Sequence, residues 1–336
     1  PDRRKLPCRH VDRGCGGCDW QHVAVDAQRH LRAELVAEVL GRAGGVADPR
    51  VELGRAIPAE GVRTIVRGTA LDGRFAFRRR RSHEAIDIDR CLVAHPLVDE
   101  VIAEGRFANA DEVVIRAGAG TGERLVIVGP TAEGVEVPPG ITVVGRDELK
   151  AGRRAWFHEE VAGRSWRVSA DSFFQASADG AEALVEGVRS MVDEVAPDAE
   201  RMVDLCCGVG LFAGTVGRGR SVIGVERSND AVVDARHNLG AAARIVRSAL
   251  ERWGPSAADV VVADPARKGL AKAGVAAVVA TGAAGIVLVS CDLGALGRDT
   301  GLLQAAGYRH HGSTVLDLFG HTSHVEVISG FVRAAP

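Results

Sequence analysis

The chain has 336 residues, 46% hydrophobic and 26% charged, with a formal net charge of −2. That length exceeds what one core usually serves, so two domains are expected. The near-zero charge excludes a global basic field, so any nucleic-acid surface must be a local patch. No run of about 18 apolar residues and no secretory leader layout occurs, which points to the cytoplasm. Seven cysteines, an odd number, argue against a complete secreted disulfide framework and for metal ligation or catalysis.

In chain order, Cys8, Cys15 and Cys18 come first, with Gly16-Gly17 between the last two, and Cys91 lies far downstream. Closely spaced thiolates can hold one metal centre, and glycines let a loop fold tightly around it. Four thiolates suit zinc or an iron–sulfur cluster. Zinc ribbons usually pair two Cys-x-x-Cys units. This half has one, which leans toward a 4Fe–4S cluster. A helix is expected over 26–41, then strands at 64–69, 74–77, 112–117 and 124–128. The Pro- and Gly-bearing stretch 135–157 reads as a linker or hairpin. Arg78-Arg79-Arg80-Arg81 follows Phe75 and Phe77, near Arg63, Arg67 and Arg74. Arginine forks suit phosphate and stack on exposed bases, so RNA contact is expected here, although alternating aromatics equally suit a core.

Strands are expected at 201–205, 221–225, 244–247, 258–263 and 285–290, with a helix over 230–239. Strands alternating with helices imply a parallel sheet covered on both faces. The first strand, with Asp204 near its end, runs through Leu205 into Cys206-Cys207-Gly208-Val209-Gly210, a tight glycine turn. Glu226 ends the second strand, where a carboxylate can accept both ribose hydroxyls. Phe212 and Ala213 follow where a third glycine would stand, which favours S-adenosylmethionine over a dinucleotide.

Cys291 directly follows an apolar strand, Asp264-Pro265 ends a neighbouring one, and Glu326 closes a polar segment. This set suits methylation of carbon 5 of uracil. A thiolate adds at carbon 6 to activate carbon 5, and a carboxylate then removes the carbon 5 proton.

These stretches resemble the RNA uracil-5-methyltransferases, which make 5-methyluridine in 23S rRNA and the tRNA T-loop. The likeness rests on Ser172-Phe173-Phe174-Gln175, Asp204 to Phe212, Gly224-Val225-Glu226, Asp264 to Gly269, Ser290 to Asp299 and Asp317 to Glu326, in the family's order. It implies a Rossmann-like class I S-adenosylmethionine methyltransferase domain over 161–336 and a smaller α+β iron–sulfur and RNA-binding region over 1–160. It also implies that Cys291 is the nucleophile and Glu326 the base. Gln175, Asp204, Gly208, Gly210, Glu226 and Asp264 would form the cofactor site, with Asp264 near the target uracil. Arg298-Asp299 would position rather than react. Members acting on rRNA carry Cys-x5-Cys-Gly-Gly-Cys, a distant fourth cysteine and Gln-His. Cys8, Cys15, Cys18, Cys91, Gln21, His22 and Gln28 resemble that set, with a first gap one residue longer. The implied cofactors are therefore S-adenosylmethionine and a 4Fe–4S cluster. The implied partner is RNA, 23S rRNA ahead of a tRNA T-loop, with neither DNA nor membrane, acted on by a monomer. The rival from another class is a non-catalytic RNA-binding or assembly protein that keeps this fold.

The sequence departs from the family at Ala266, where proline is usual, at Leu293 after Asp292, at Gly320-His321 in place of Pro-Gln, and at Ser248-Ala249, where an acidic residue is common. These put the adenine contact and the uracil pocket in question. Members often begin with an OB-like TRAM domain, and none precedes Cys8 in this sequence.

Overall fold

Val and Ile fill the segments at the centre of the molecule, and unbroken burial along them marks a sheet covered on both faces. In a computed structural model, which describes residues 2–108 and 110–334, Val260–Ala263 and Gly285–Ser290 are buried at every position. The chain begins with α1 (Arg9–Asp12), α2 (Val25–Arg42), β1 (Val51–Leu53), β2 (Ile65–Leu71), β3 (Arg74–Arg78) and β4 (Ala85–Asp87). It continues with α3 (Pro96–Glu104), β5 (Glu112–Ala117), β6 (Arg124–Gly129), β7 (Thr142–Gly145) and α4 (Arg146–Lys150). The hairpin β8 (Trp156–Val161) and β9 (Arg164–Ser169) leads to α5 (Ala178–Val195). Alternation follows: β10 (Arg201–Leu205), α6 (Leu211–Thr215), β11 (Ser221–Glu226), α7 (Asn229–Leu239), β12 (Arg244–Arg247) and β13 (Val260–Ala263). The last elements are α8 (Ala271–Ala280), β14 (Gly285–Ser290), α9 (Leu293–Ala305), β15 (Tyr308–Leu316) and β16 (Glu326–Arg333).

An eight-stranded sheet has the order β1-β15-β16-β14-β13-β10-β11-β12. The five expected strands, β10 to β14, pair in parallel. The chain leaves β10 toward β11 on one side and returns through β13 on the other. Such a reversal opens a crevice at the carboxyl edge, where ligands of open α/β sheets bind. The long strands β15 and β16 were not anticipated. β16 runs antiparallel to both β14 and β15, and β1 lies parallel to β15. Helix α2 also belongs to this layer, because Val36 and Leu40 pack with Leu296, Val315 and Val327.

The second sheet has the order β4-β3-β2-β5-β6-β7. Phe75 is fully buried in its core with Val98, Val101 and Ile102 of α3, so this aromatic serves packing. The expected linker over 135–157 is corrected. It contains β7, which pairs in parallel with β6, then α4 and the start of β8. A four-residue strand beside Pro138-Pro139-Gly140 gives too short a pattern to read. Residue 160 falls within β8. Among the described residues, no helix is long and apolar enough to cross a membrane.

Asp234 of α7, fully buried, fastens β9 and the segment after it to the catalytic layer. Its carboxylate accepts from Arg167 Nε, Ser169 N and Ser169 Oγ at 2.8 Å each, and from Ser172 Oγ at 2.6 Å. Asp234→Ala leaves Ser169 N, Ser169 Oγ, Ser172 Oγ and Arg167 Nε without this acceptor, and the half-buried Arg167 guanidinium keeps only its bond from Nη2 to Val233 O at 3.1 Å. The substitution should cost about 3–5 kcal/mol, seen as a lower urea midpoint at unchanged slope.

Candidate active site and cysteine cavity

The glycine turn after β10 is built by local geometry. Gly210 has φ +94°, and a Cβ there would stand 2.7 Å from Leu239 Cδ1, so a side chain would be both strained and crowded. Cys206 takes φ +63° although it is not glycine, a strained conformation at the mouth of the loop. Asp204 Oδ2 accepts Ala213 N at 2.8 Å, closing the loop onto α6. Burial, with repulsion from Asp264 and Glu226, pushes Asp204 up to about 8. Its Oδ1 is buried without a hydrogen-bond partner among the described residues. Glu226 Oε2 accepts Gly208 N at 3.1 Å, and its Oε1 accepts Arg227 N and Ser228 N at 2.7 Å each. Glu226 therefore ties together the two turns that flank the crevice.

Cys291 follows β14 and precedes Asp292, which caps α9 by accepting Ala295 N at 2.8 Å. The cap explains how Leu293 is tolerated at the first helical turn, since Asp292 fixes the helix start without proline's preset φ. Ser290 pairs with Val327 in the antiparallel register of β14 on β16. Glu326, one residue before Val327, therefore lies beside Cys291, on a strand adjacent to the nucleophile candidate's own. On the other side, Ala263 pairs with Leu288, which brings Asp264 to the same edge. Gln175 Nε2 reaches Asp264 Oδ2 at 3.5 Å. Burial raises both Glu326 and Asp264, and repulsion from Asp264 raises Glu326 further, so the pair retains a proton more readily than isolated carboxylates. Burial, then Glu326 and Asp264, push Cys291 up to about 11, against the pull of Arg267.

The loop after Asp264 is held from α9. Asp299 accepts Leu270 N at 2.7 Å and Ala271 N at 3.0 Å, while Arg298 Nη2 donates to Lys268 O at 2.5 Å. Ala266 is exposed, and its carbonyl accepts Gly269 N at 2.7 Å in a tight turn that needs no proline. The segment carrying Gln175 is gripped by buried Arg116, whose Nη1 donates to Ser169 O, Ala170 O and Ser172 O at 3.1, 2.9 and 2.8 Å. Phe173 in this segment is 67% exposed, an aromatic face open beside the crevice.

Cys8, Cys15, Cys18 and Cys91 line one cavity of about 770 Å³, with Arg63, Arg67 and the exposed run Arg78–Arg81 on its walls. Each is a free thiol. Burial pushes Cys18 up to about 12, with added repulsion from Cys91, Cys15 and Cys8. Among the described residues, no three Cys, His, Asp or Glu side chains stand close enough to share a single metal ion. Ser323 and His324, just before Glu326, line the same cavity.

Reading the sequence alone misses Arg32, Arg116 and Asp234. Arg32 had a signal: Gln28, Arg32, Val36 and Leu40 recur every fourth residue on the buried face of α2. A charge on such a face implies a buried partner.

A glycine turn after the first strand, a carboxylate ending the second and a crevice at the sheet's reversal define a Rossmann-like class I S-adenosylmethionine methyltransferase. The fold matches the Pyrococcus abyssi tRNA (uracil-54, C5)-methyltransferase, a structure solved with S-adenosyl-L-homocysteine, at a TM-score of 0.74 and 22% identity over 95% of this chain and 86% of that one. No family model matches the chain. An uncharacterized RNA methyltransferase of Streptomyces avermitilis is 36% identical over 99% of the chain and 84% of its own length. The 23S rRNA (uracil(1939)-C(5))-methyltransferase RlmD of Chromohalobacter salexigens is 30% identical over 100% of the chain and 78% of its own length. The chain belongs to the S-adenosylmethionine-dependent RNA uracil-5-methyltransferase family.

The electrostatics of Cys291 can be read directly. Its thiolate fraction grows as pH rises toward its raised pKa, so alkylation of the free enzyme by iodoacetamide should accelerate about tenfold per pH unit from about pH 7 to about pH 10. Glu326→Gln should speed alkylation toward the alkaline end of this range, where the carboxylate it replaces has lost its proton and repels the thiolate, and leave it little changed near pH 7, where that carboxylate holds its proton. Peptide mass spectrometry follows both. An unchanged rate in the variant at the alkaline end would refute the coupling.

Proposed function

We propose that this enzyme methylates carbon 5 of a uridine in 23S rRNA, with Cys291 as nucleophile and Glu326 as base. The observation that carries this reading is the β14–β16 register, which sets a thiol and a buried carboxylate side by side at the ligand-binding edge. The Cys291 thiolate forms a bond to carbon 6 and drives the ring electrons toward oxygen 4 and carbon 5. Carbon 5 then takes the methyl group from the sulfonium, releasing S-adenosylhomocysteine. Glu326 accepts the carbon 5 proton, the carbon 5–carbon 6 double bond re-forms, and the bond to Cys291 breaks. Asp264 and Gln175 would orient the uracil and the methyl donor. Gly208, Gly210, Glu226 and Asp204 would hold the donor, and the unpartnered Asp204 Oδ1 suits a ligand bearing cationic groups. The target must be flipped out of its stack, since this chemistry needs both faces of the base.

The reading extends to the amino-terminal half. Residues 1–160 would form an iron–sulfur and RNA-binding region, apart from α2 and β1, which join the catalytic sheet, and 161–336 the rest of the catalytic domain of a cytoplasmic monomer. Cys8, Cys15, Cys18 and Cys91 would hold a 4Fe–4S cluster. A single zinc ion draws its thiolates to about 2.3 Å from one centre, whereas a cluster offers a separate iron to each of four thiolates. The four thiols lining one cavity support a shared centre. When bound, it supplies iron–thiolate bonds that fasten the amino-terminal loop to the segment at Cys91. Arg63, Arg67 and Arg78–Arg81 would take the RNA phosphates. The cysteine set, like that of the rRNA-acting members, and the RlmD relative support 23S rRNA over a tRNA T-loop, and the first test compares the two substrates.

A 23S rRNA transcript made with 5-fluorouridine should form a denaturation-resistant adduct with the enzyme and S-adenosylmethionine, because fluorine cannot leave as the proton does. Cys291→Ala should abolish it. An adduct with a tRNA transcript alone would move the substrate to the T-loop, and an adduct surviving in Cys291→Ala would overturn the mechanism.

Protein purified without oxygen should carry about four irons and four sulfides per chain, lost in Cys18→Ser. Zinc instead, or no metal, would remove the cluster from the account.

A further inference from the structure

The segment 317–325, between β15 and β16, delivers Glu326 to the catalytic edge, yet it has little backbone support of its own. Within it, Thr322 N donates to Phe319 O at 3.2 Å, and His321 takes a left-handed φ of +62°. Buried carbonyls in such a segment need donors from elsewhere. One side chain supplies most of them. Arg32 of α2, 1% exposed, donates from Nε to His324 O at 3.0 Å, and from Nη2 to Thr322 O at 2.7 Å and Phe319 O at 3.1 Å. Its Nη1 pairs with Asp317 Oδ1 at 3.0 Å. The same guanidinium therefore meets the first residue of the segment and three of its carbonyls, one of them two residues before Glu326.

A second tie runs to the cysteine loop. Gln28, one turn before Arg32 on α2, accepts His321 N at 3.0 Å and donates to Trp20 O at 3.1 Å, and Trp20 N donates to His321 O at 2.8 Å. Trp20 lies between Cys18 and Gln21, whose Oε1 accepts Cys8 N at 3.2 Å.

We propose that Arg32 is a positioning residue for the last chemical step, clamping the segment 317–325 so that Glu326 meets the carbon 5 proton, and that through Gln28 and Trp20 the cysteine loop braces the clamp. The inference rests on Glu326 being the base. A planar guanidinium fork sets the spacing and direction of several acceptors at once, which a point charge cannot reproduce. Cys291 sits on the β14–α9 junction, outside the clamp. Loosening the clamp should therefore spare thiolate addition and methyl transfer, and slow proton removal and release of Cys291.

The test compares Arg32→Ala and Arg32→Lys with Glu326→Gln, in the full chain, using whichever of the 23S or tRNA transcripts supports turnover. Arg32→Ala should form the 5-fluorouridine adduct to the wild-type extent and bind S-adenosylhomocysteine normally. On unmodified transcript its kcat should fall on the order of 10²-fold at unchanged KM, and covalent protein–RNA complex should accumulate during turnover. Arg32→Lys should lie between wild type and Arg32→Ala. Turnover of Arg32→Ala within about twofold of wild type overturns the inference. So does loss of adduct, cofactor binding and turnover together in both Arg32 variants, which marks a role in folding only. If Glu326→Gln turns over freely, the base assignment itself is wrong and this inference falls with it. If Glu326→Gln stalls as adduct while the Arg32 variants do not, only the clamp is wrong.

Discussion

The antiparallel placement of β16 against β14 is the constraint from which the rest of the site follows. A parallel sheet by itself gathers residues from the carboxyl ends of its strands, and Asp204, Asp264 and Cys291 arrive that way. Glu326 stands at the beginning of its strand, and only a reversed strand brings a beginning to that edge. The pairing of Ser290 with Val327 fixes the register, and a slip of one residue would turn the carboxylate to the other face. Burial of Val327, Ile328 and Phe331 makes such a slip expensive.

Because the edge is buried, its charges interact strongly. Two raised carboxylates and a raised thiol share a region with limited water, and Arg267 is the cation that draws Cys291 downward. In the resting enzyme this holds the nucleophile mainly as thiol and keeps a proton on the carboxylate pair. Bound RNA and a cationic methyl donor would shift that balance, so the nucleophile is activated when its substrates are present. The same burial explains why the supporting shell consists of charged side chains that each hold several partners. Asp234 and Arg116 grip the segment that bears Gln175, Asp299 grips the loop after Asp264, and Arg32 grips the approach to Glu326.

Much of the catalytic layer was legible in the sequence because each strand ended on a chemically distinctive residue. Asp204, Glu226, Asp264 and Cys291 all fall at or just past the carboxyl ends of the expected strands. The fold of that layer and the family followed from the order of short blocks. What could not be read was sheet order: β15, β16 and β1 have ordinary strand patterns, and nothing local states that β16 inserts between β14 and β15. Helix α2 was located, yet its burial against the distant β15–β16 pair depends on contacts across almost the whole chain. The arginine run was legible as a surface, whereas Phe75 beside it proved to be core, since alternation alone does not tell which face meets water.

The most direct measurement of the central claim follows the fate of one hydrogen. RNA transcribed with tritium at carbon 5 of uridine is reacted with S-adenosylmethionine, and tritium in water is compared with methyl groups in RNA. The wild-type enzyme should release one tritium for each methyl transferred, while Glu326→Gln should transfer the methyl group and leave the tritium on the covalently held ring. Equal tritium release by the variant, at the wild-type rate, would contradict the assignment of Glu326 as the group that collects the proton.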